Sequence, residues 1–151
     1  MGGVRTPRQA LGDFGEQLVI DRVLCPCDKN EEKFIRLSPN TPSVDLQCPG
    51  CKCNVQVKTL NRQNISQLPK KLLGASWAPQ AKLVSSSTHP SIYLVLVDRL
   101  QNEAVYFISS ASQSIDCFEV RKPLSEAAKS PGWTGFYLLI DRLSSEPIRV
   151  L

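Results

Sequence analysis

No apolar run in this chain is long enough to cross a bilayer. The longest, Ile92–Val97 and Phe136–Ile140, fall far short of the roughly 20 residues a spanning helix needs. The first residues, Met1-Gly2-Gly3-Val4-Arg5-Thr6, lack the apolar stretch of a secretory signal. The expected setting is therefore the cytoplasm, in a prokaryotic or phage-like context, away from membranes and with thiols reduced. There is no repeat and no low-complexity tract. Histidine occurs once, at His89 in Thr-His-Pro, and reads as a surface loop residue. A chain of 151 residues is too short for two ordinary domains, so one domain over 1–151 is expected. With 42% hydrophobic and 21% charged residues, the composition excludes a disordered chain.

The most telling absence is acid. From Lys58 to Val97, forty residues pass without an Asp or Glu, while Lys58, Arg62, Lys70, Lys71 and Lys82 all fall there. The net charge of +4 says little alone, but a single-sign stretch of this length suits a phosphate backbone. Arg62, Lys70, Lys71 and Lys82 are the candidate contacts to double-stranded DNA. Trp77, in the same stretch, has a ring that can stack on a base or wedge into a groove. A homodimer is left open.

Six cysteines are present, and four of them form two close pairs: Cys25-Pro-Cys27 and Cys48-Pro-Gly-Cys51. In a reducing compartment, paired cysteines point to zinc rather than to disulfides. The Pro-Gly turn lets two thiolates converge on one tetrahedral ion, and the first pair supplies the rest of a closed structural Zn²⁺ site. Cys53 is the substitute should Cys27 be badly placed. Cys117 reads as a small buried apolar side chain.

Periodicity gives an α/β order. Thr6, Pro7 and Gln9 form a helix start with a capping box, and Leu11, Phe14, Leu18 and Val23 recur at helical spacing over 7–24. Strands are expected over 33–37, 43–47, 54–60, 92–97, 104–108, 135–140 and 148–151. A short helix near 76–84 is expected within an otherwise loop-like 61–90. The fold class is α/β, with a mixed central sheet flanked by helices.

The two strands joined by the Cys48–Cys51 turn carry Asp45 on one arm and Gln56-Val57-Lys58 on the other. Hydrolysis of a phosphodiester needs a divalent ion beside the scissile phosphate, and hard oxygen ligands suit Mg²⁺. Asp45 offers a carboxylate, Gln56 an amide oxygen and Val57 a main-chain carbonyl. Lys58 is placed to act on the attacking water and the developing charge. Glu16, on the first helix, is a further candidate carboxylate.

Asp45…Gln56-Val57-Lys58 resembles the PD-(D/E)XK nuclease signature. The cysteine knuckle between its halves resembles the zinc-containing catalytic domain of DpnI-type restriction endonucleases. There, too, a cysteine pair follows the first helix, Cys-x-x-Cys begins three residues after the catalytic Asp, and the acid-x-Lys begins eleven residues beyond it. Lys122-Pro-Leu-Ser-Glu-Ala-Ala-Lys-Ser-Pro-Gly-Trp-Thr-Gly135, which includes Trp133, is similar to a family segment before the last strands. The resemblance covers about residues 10–150. It implies a restriction-endonuclease-like fold, structural zinc, catalytic magnesium and metal-dependent DNA cleavage. The chain departs from the pattern in three places. Val44 stands where the motif has Pro, the first cysteine pair is one residue shorter, and Gln56 replaces an acid, which removes one negative charge from the site. No winged-helix domain is read here, so methyl-adenine specificity is not carried over. The readings kept beside a restriction-type endonuclease are an intron-type homing endonuclease and a non-cleaving, zinc-stabilised nucleic-acid-binding protein.

Overall fold

The first helix, α1 (Pro7–Arg22), begins as its sequence dictates. The Thr6 hydroxyl accepts from the Gln9 amide at 3.2 Å, and the Gln9 side chain accepts from the Thr6 amide at 3.0 Å. Such a cap is worth ~1 kcal/mol. The buried face matches the expected one at Leu18 and Val23 and departs from it at Phe14. Gly15, Leu18 and Val19 are buried, whereas Phe14 is 40% exposed. The cause lies in a close approach to the third strand, β3 (Asn54–Asn61): a Cβ on Gly15 would stand 1.8 Å from Thr59 Oγ1. Glycine lets the helix rotate onto the strand.

Gly15→Ala should therefore cost about 1–3 kcal/mol through overpacking, despite the better helix propensity of alanine. Gly12 meets nothing within 4 Å, so Gly12→Ala should be neutral or gain up to ~1 kcal/mol. Thermal unfolding of the two variants checks the contrast.

The computed structural model describes residues 3–26, 33–38, 44–123, 127 and 134–151. After α1 come β1 (Ile35–Arg36), β2 (Leu46–Gln47), β3, β4 (Lys71–Gly74), α2 (Trp77–Ser85), β5 (Ser91–Val97), β6 (Glu103–Ile108), β7 (Phe118–Val120), β8 (Phe136–Leu139) and β9 (Ile148–Arg149). The order β1-β2-β3-β5-β6-β9 builds a six-stranded sheet that is antiparallel except between β3 and β5. This is the mixed central sheet of an α/β protein, as expected. The parallel pair sets Val55 beside Ser91 and Asn61 beside Val97, and a parallel pair needs a long crossover between its strands. Residues 62–90 provide it. In the middle of the sheet, β5 is buried from Ile92 to Val97, which is why it reads as an unbroken apolar run.

Residues 1–66, 90–108 and 147–151 form one compact unit, and residues 67–89 and 109–146 form another. The first contains α1 and the six-stranded sheet. Its core joins Leu18, Val19 and Val23 to Leu46, Val55 and Val95, and the Phe34 ring meets Tyr93 edge-on at 5.6 Å. The second contains α2 and a three-stranded antiparallel sheet, β4-β8-β7. Trp77 packs there against Phe118 at 5.7 Å and Phe136 at 5.6 Å. Gly74 lies under the Phe136 ring, where a Cβ would come within 2.1 Å of it. Buried Cys117 donates to the Arg142 carbonyl at 3.1 Å.

Two strands go beyond the sequence reading. β4 lies in the segment read as loop and one helix, because Lys71–Gly74 is short and opens on a charged residue. β7 follows single-turn helical segments at Ser110–Ser112 and Ile115–Cys117, which mask its alternation. His89, read as a surface residue, is half-buried, with Nε2 2.9 Å from the Ser110 carbonyl. No helix among the described residues is long and apolar enough to cross a membrane.

Candidate active site and metal centre

The β2–β3 hairpin carries both sites, and its turn is built for the cysteines. The Cys48 amide donates to the Cys53 carbonyl at 3.0 Å and the Lys52 amide to the Cys48 carbonyl at 2.9 Å. Lys52 takes φ 64° to close the turn. The chain leaving α1 brings Cys25 alongside, with its Sγ 3.4 Å from Cys53 Sγ and 3.6 Å from Cys51 Sγ. The three sulfurs lie within 4.8 Å of one another. Cys48 is fully buried, and its thiol hydrogen-bonds Cys51. The Cys53 backbone amide and thiol, helped by Cys25 and Cys48, hold the Cys51 thiol down at about 7.

A tetrahedral ion with Zn–S bonds of ~2.3 Å sets its sulfurs about 3.8 Å apart. The soft donors and their spacing thus fit a structural zinc. Of the ligands expected from sequence, Cys25 and Cys51 meet here and Cys48 adjoins them. Cys53, the named substitute, joins the group. Cys27 lies outside the described residues, as does Trp133.

One residue ahead of β2, Asp45 is anchored three times. Its amide donates to the Val55 carbonyl at 3.0 Å, its carbonyl accepts from Leu37 at 3.0 Å, and Oδ2 accepts from the Val57 amide at 2.8 Å. Val57, offered by the sequence for its carbonyl, thus also engages Asp45 through its N–H. Burial pushes the Asp45 carboxyl above its usual range, against the Val57 amide and the Lys58 charge. Burial pushes the Lys58 ammonium down, opposed by Asp45. Glu16 is pushed up by burial first and by the Asp45 charge second, while Arg36 pulls it back. Asp45 is therefore the electrostatic hub between Glu16 and Lys58. Gln56 is half-buried and shares the alternating strand face of Lys58.

The sequence reading missed Arg36. Its guanidinium pairs with Glu16 Oε2, donates to Gln17 Oε1 at 2.9 Å, and reaches the Asp13 carbonyl at 3.5 Å. With Arg5, Asp13, Glu16, Val44 and Asp45 it lines a cleft of about 370 Å³. A lone arginine on a two-residue strand gives no sequence signal, since its partners come from α1.

The residues expected to contact DNA divide between the two units. Arg62 lines a hollow of about 280 Å³ in the first, with Gln63, Asp98 and Arg99 among its neighbours. Lys70, Lys71 and Lys82 are exposed in the second, where Trp77 is half-buried in the aromatic cluster.

No curated protein matches the chain. The family model described as DpnI: Dam-replacing family matches residues 5–148, drawing on both compact units and spanning every candidate residue above. The chain belongs to this family, which is related to the restriction endonucleases.

Proposed function

We propose that the protein is a metal-dependent DNA endonuclease of restriction type, acting as one nuclease domain within the cell on double-stranded DNA. The observation that carries the reading is Asp45. A carboxylate pinned by the Val57 amide at 2.8 Å, and coupled by charge to Glu16 and Lys58, is the arrangement phosphodiester hydrolysis calls for. Asp45, Gln56 and the Val57 carbonyl are the oxygens to hold Mg²⁺, with Glu16 as a further carboxylate. The bound ion would supply charge neutralisation at the phosphate and a more acidic water. Lys58 does the rest from this chain. Burial lowers its proton affinity, which suits it to orient the attacking water, take its proton, and hold the charge that develops on phosphorus oxygens. The thiol cluster fixes the hairpin that carries these groups. Arg62, Lys70, Lys71 and Lys82 are proposed to meet the DNA backbone, and Trp77, half-buried against Phe118 and Phe136, to stack on a base or wedge into a groove with its exposed part.

A non-cleaving, zinc-stabilised DNA-binding protein is the second reading, and Gln56 favours it, because a neutral ligand holds Mg²⁺ less tightly than a carboxylate. Methylated and unmethylated plasmids incubated with the protein in Mg²⁺, Mn²⁺ or EDTA separate the two. Nicking or linearisation that EDTA stops is the expected result. Intact plasmid under every condition would favour the binding protein.

A further inference from the structure

The geometry points to a DNA-backbone contact on the solvent face of the β4-β8-β7 sheet, where Tyr137 stands flanked by Lys71 and Arg121. This rests on the nuclease reading and adds to it Arg121, Tyr137 and an opposing Glu119. Tyr137 is on the central strand β8, with Leu73 and Glu119 as its partners in register. Lys71 Nζ lies 4.1 Å from the Tyr137 ring centroid and Arg121 Cζ 5.2 Å from it. The two cations are thus at most about 9 Å apart. Lys71, Leu73, Glu119 and Arg121 are exposed, whereas Leu72 and Leu138, on the opposite face, are buried.

What singles out this face is how its charges are arranged. The ion pairs given by the described residues, Arg5–Asp13, Arg22–Glu103 and Arg36–Glu16, all belong to the first unit. Among the described residues neither Lys71 nor Arg121 pairs with a carboxylate, although Glu119 shares their face. Both cations are drawn instead to the ring of Tyr137, which leaves two positive charges within about 9 Å of each other. An anion on the solvent side of the ring, within reach of both, offsets their repulsion. The fork of Arg121 matches two phosphate oxygens, and Lys71 adds a point charge. Leu73, 48% exposed, offers apolar surface to the sugars. The occupant that presents evenly spaced phosphates joined by sugars is a nucleic-acid strand, here the substrate duplex. Such a contact positions the duplex and reads no sequence.

Binding of a fluorescent duplex is measured by anisotropy in EDTA over a series of salt concentrations, with each variant's fold checked by thermal unfolding. Lys71→Gln combined with Arg121→Gln should weaken binding about tenfold or more at low salt and reduce the slope of log K against log salt by about 2. Glu119→Gln should tighten binding, since it removes an acid facing the phosphates. If the double variant fails to fold, Glu119→Gln and Lys71→Gln alone carry the test. Suppose the parent binds and cleaves DNA, but affinity and slope are unchanged in the folded variants. Then the surface lies elsewhere and the nuclease reading stands. A parent that neither binds nor cuts duplex DNA overturns both.

Discussion

Lys58→Ala is expected to lower metal-dependent cleavage by about a thousandfold while leaving duplex binding within a few-fold of the parent. The side chain acts on the water and on the charge of the transition state, and only interactions that strengthen there change the rate of the chemical step. Single-turnover cleavage and anisotropy on the same duplex make the comparison. If both fell together, Lys58 would be a ground-state contact and the proposed role would be wrong. Asp45→Asn should abolish the metal response, and Gln56→Glu should sustain cleavage at lower Mg²⁺ because it restores a charged ligand. The pH profile follows from the same groups. Burial raises Asp45 and Glu16, so protons compete with the ion for their oxygens, and the rate should climb as pH rises through that elevated carboxyl range. Stability of the metal-free protein should move the other way. Carboxyls with raised folded-state values bind protons more tightly in the native than in the unfolded state, so stability is lost as pH rises from their ordinary to their raised values. Asp45→Asn should therefore keep or raise the melting temperature of the metal-free protein at neutral pH while it removes activity. A lowered melting temperature would mean that the carboxylate charge itself is structural.

One zinc per chain is expected, and its removal should lower the melting temperature by about 10 °C or more. Metal affinity in a closed thiolate site is folding free energy of several kcal/mol, and each kcal/mol moves the transition of a domain this size by ~3 °C. The cluster ties the end of α1 to the β2–β3 turn through Cys25, Cys51 and Cys53. Loss of the ion would remove that tie and loosen the hairpin whose arms carry Asp45 and Lys58. Cys53→Ser should lose zinc and stability together. Cys117→Ser should retain one zinc per chain, since that thiol lies in the other unit and donates to Arg142. Elemental analysis with calorimetric melting decides. Full zinc content in Cys53→Ser would return the ligand role to residues such as Cys27 and Cys48.

Much of this molecule is written locally. The α1 cap, the β3 and β5 strands and the hairpin around Cys48-Pro-Gly-Cys51 were legible because cap chemistry, period-2 alternation and turn residues act over a few positions. The order Asp45, Gln56, Lys58 was legible too, because two arms of one hairpin are adjacent whatever the rest of the chain does. Tertiary structure alone decided the rotation of α1. Gly15 against Thr59 turns Val19 inward beside Leu18 and leaves Phe14 outside, and with that rotation Glu16 comes within electrostatic reach of Asp45 and Arg36 reaches α1. It also decided that Cys53 joins Cys25 and Cys51, and that Lys71 and Arg121, fifty residues apart in the chain, share one tyrosine ring. Periodicity reports which face of an element is apolar. It carries no information on which distant element covers that face or how closely the two approach, and those distances place the charges of the candidate site.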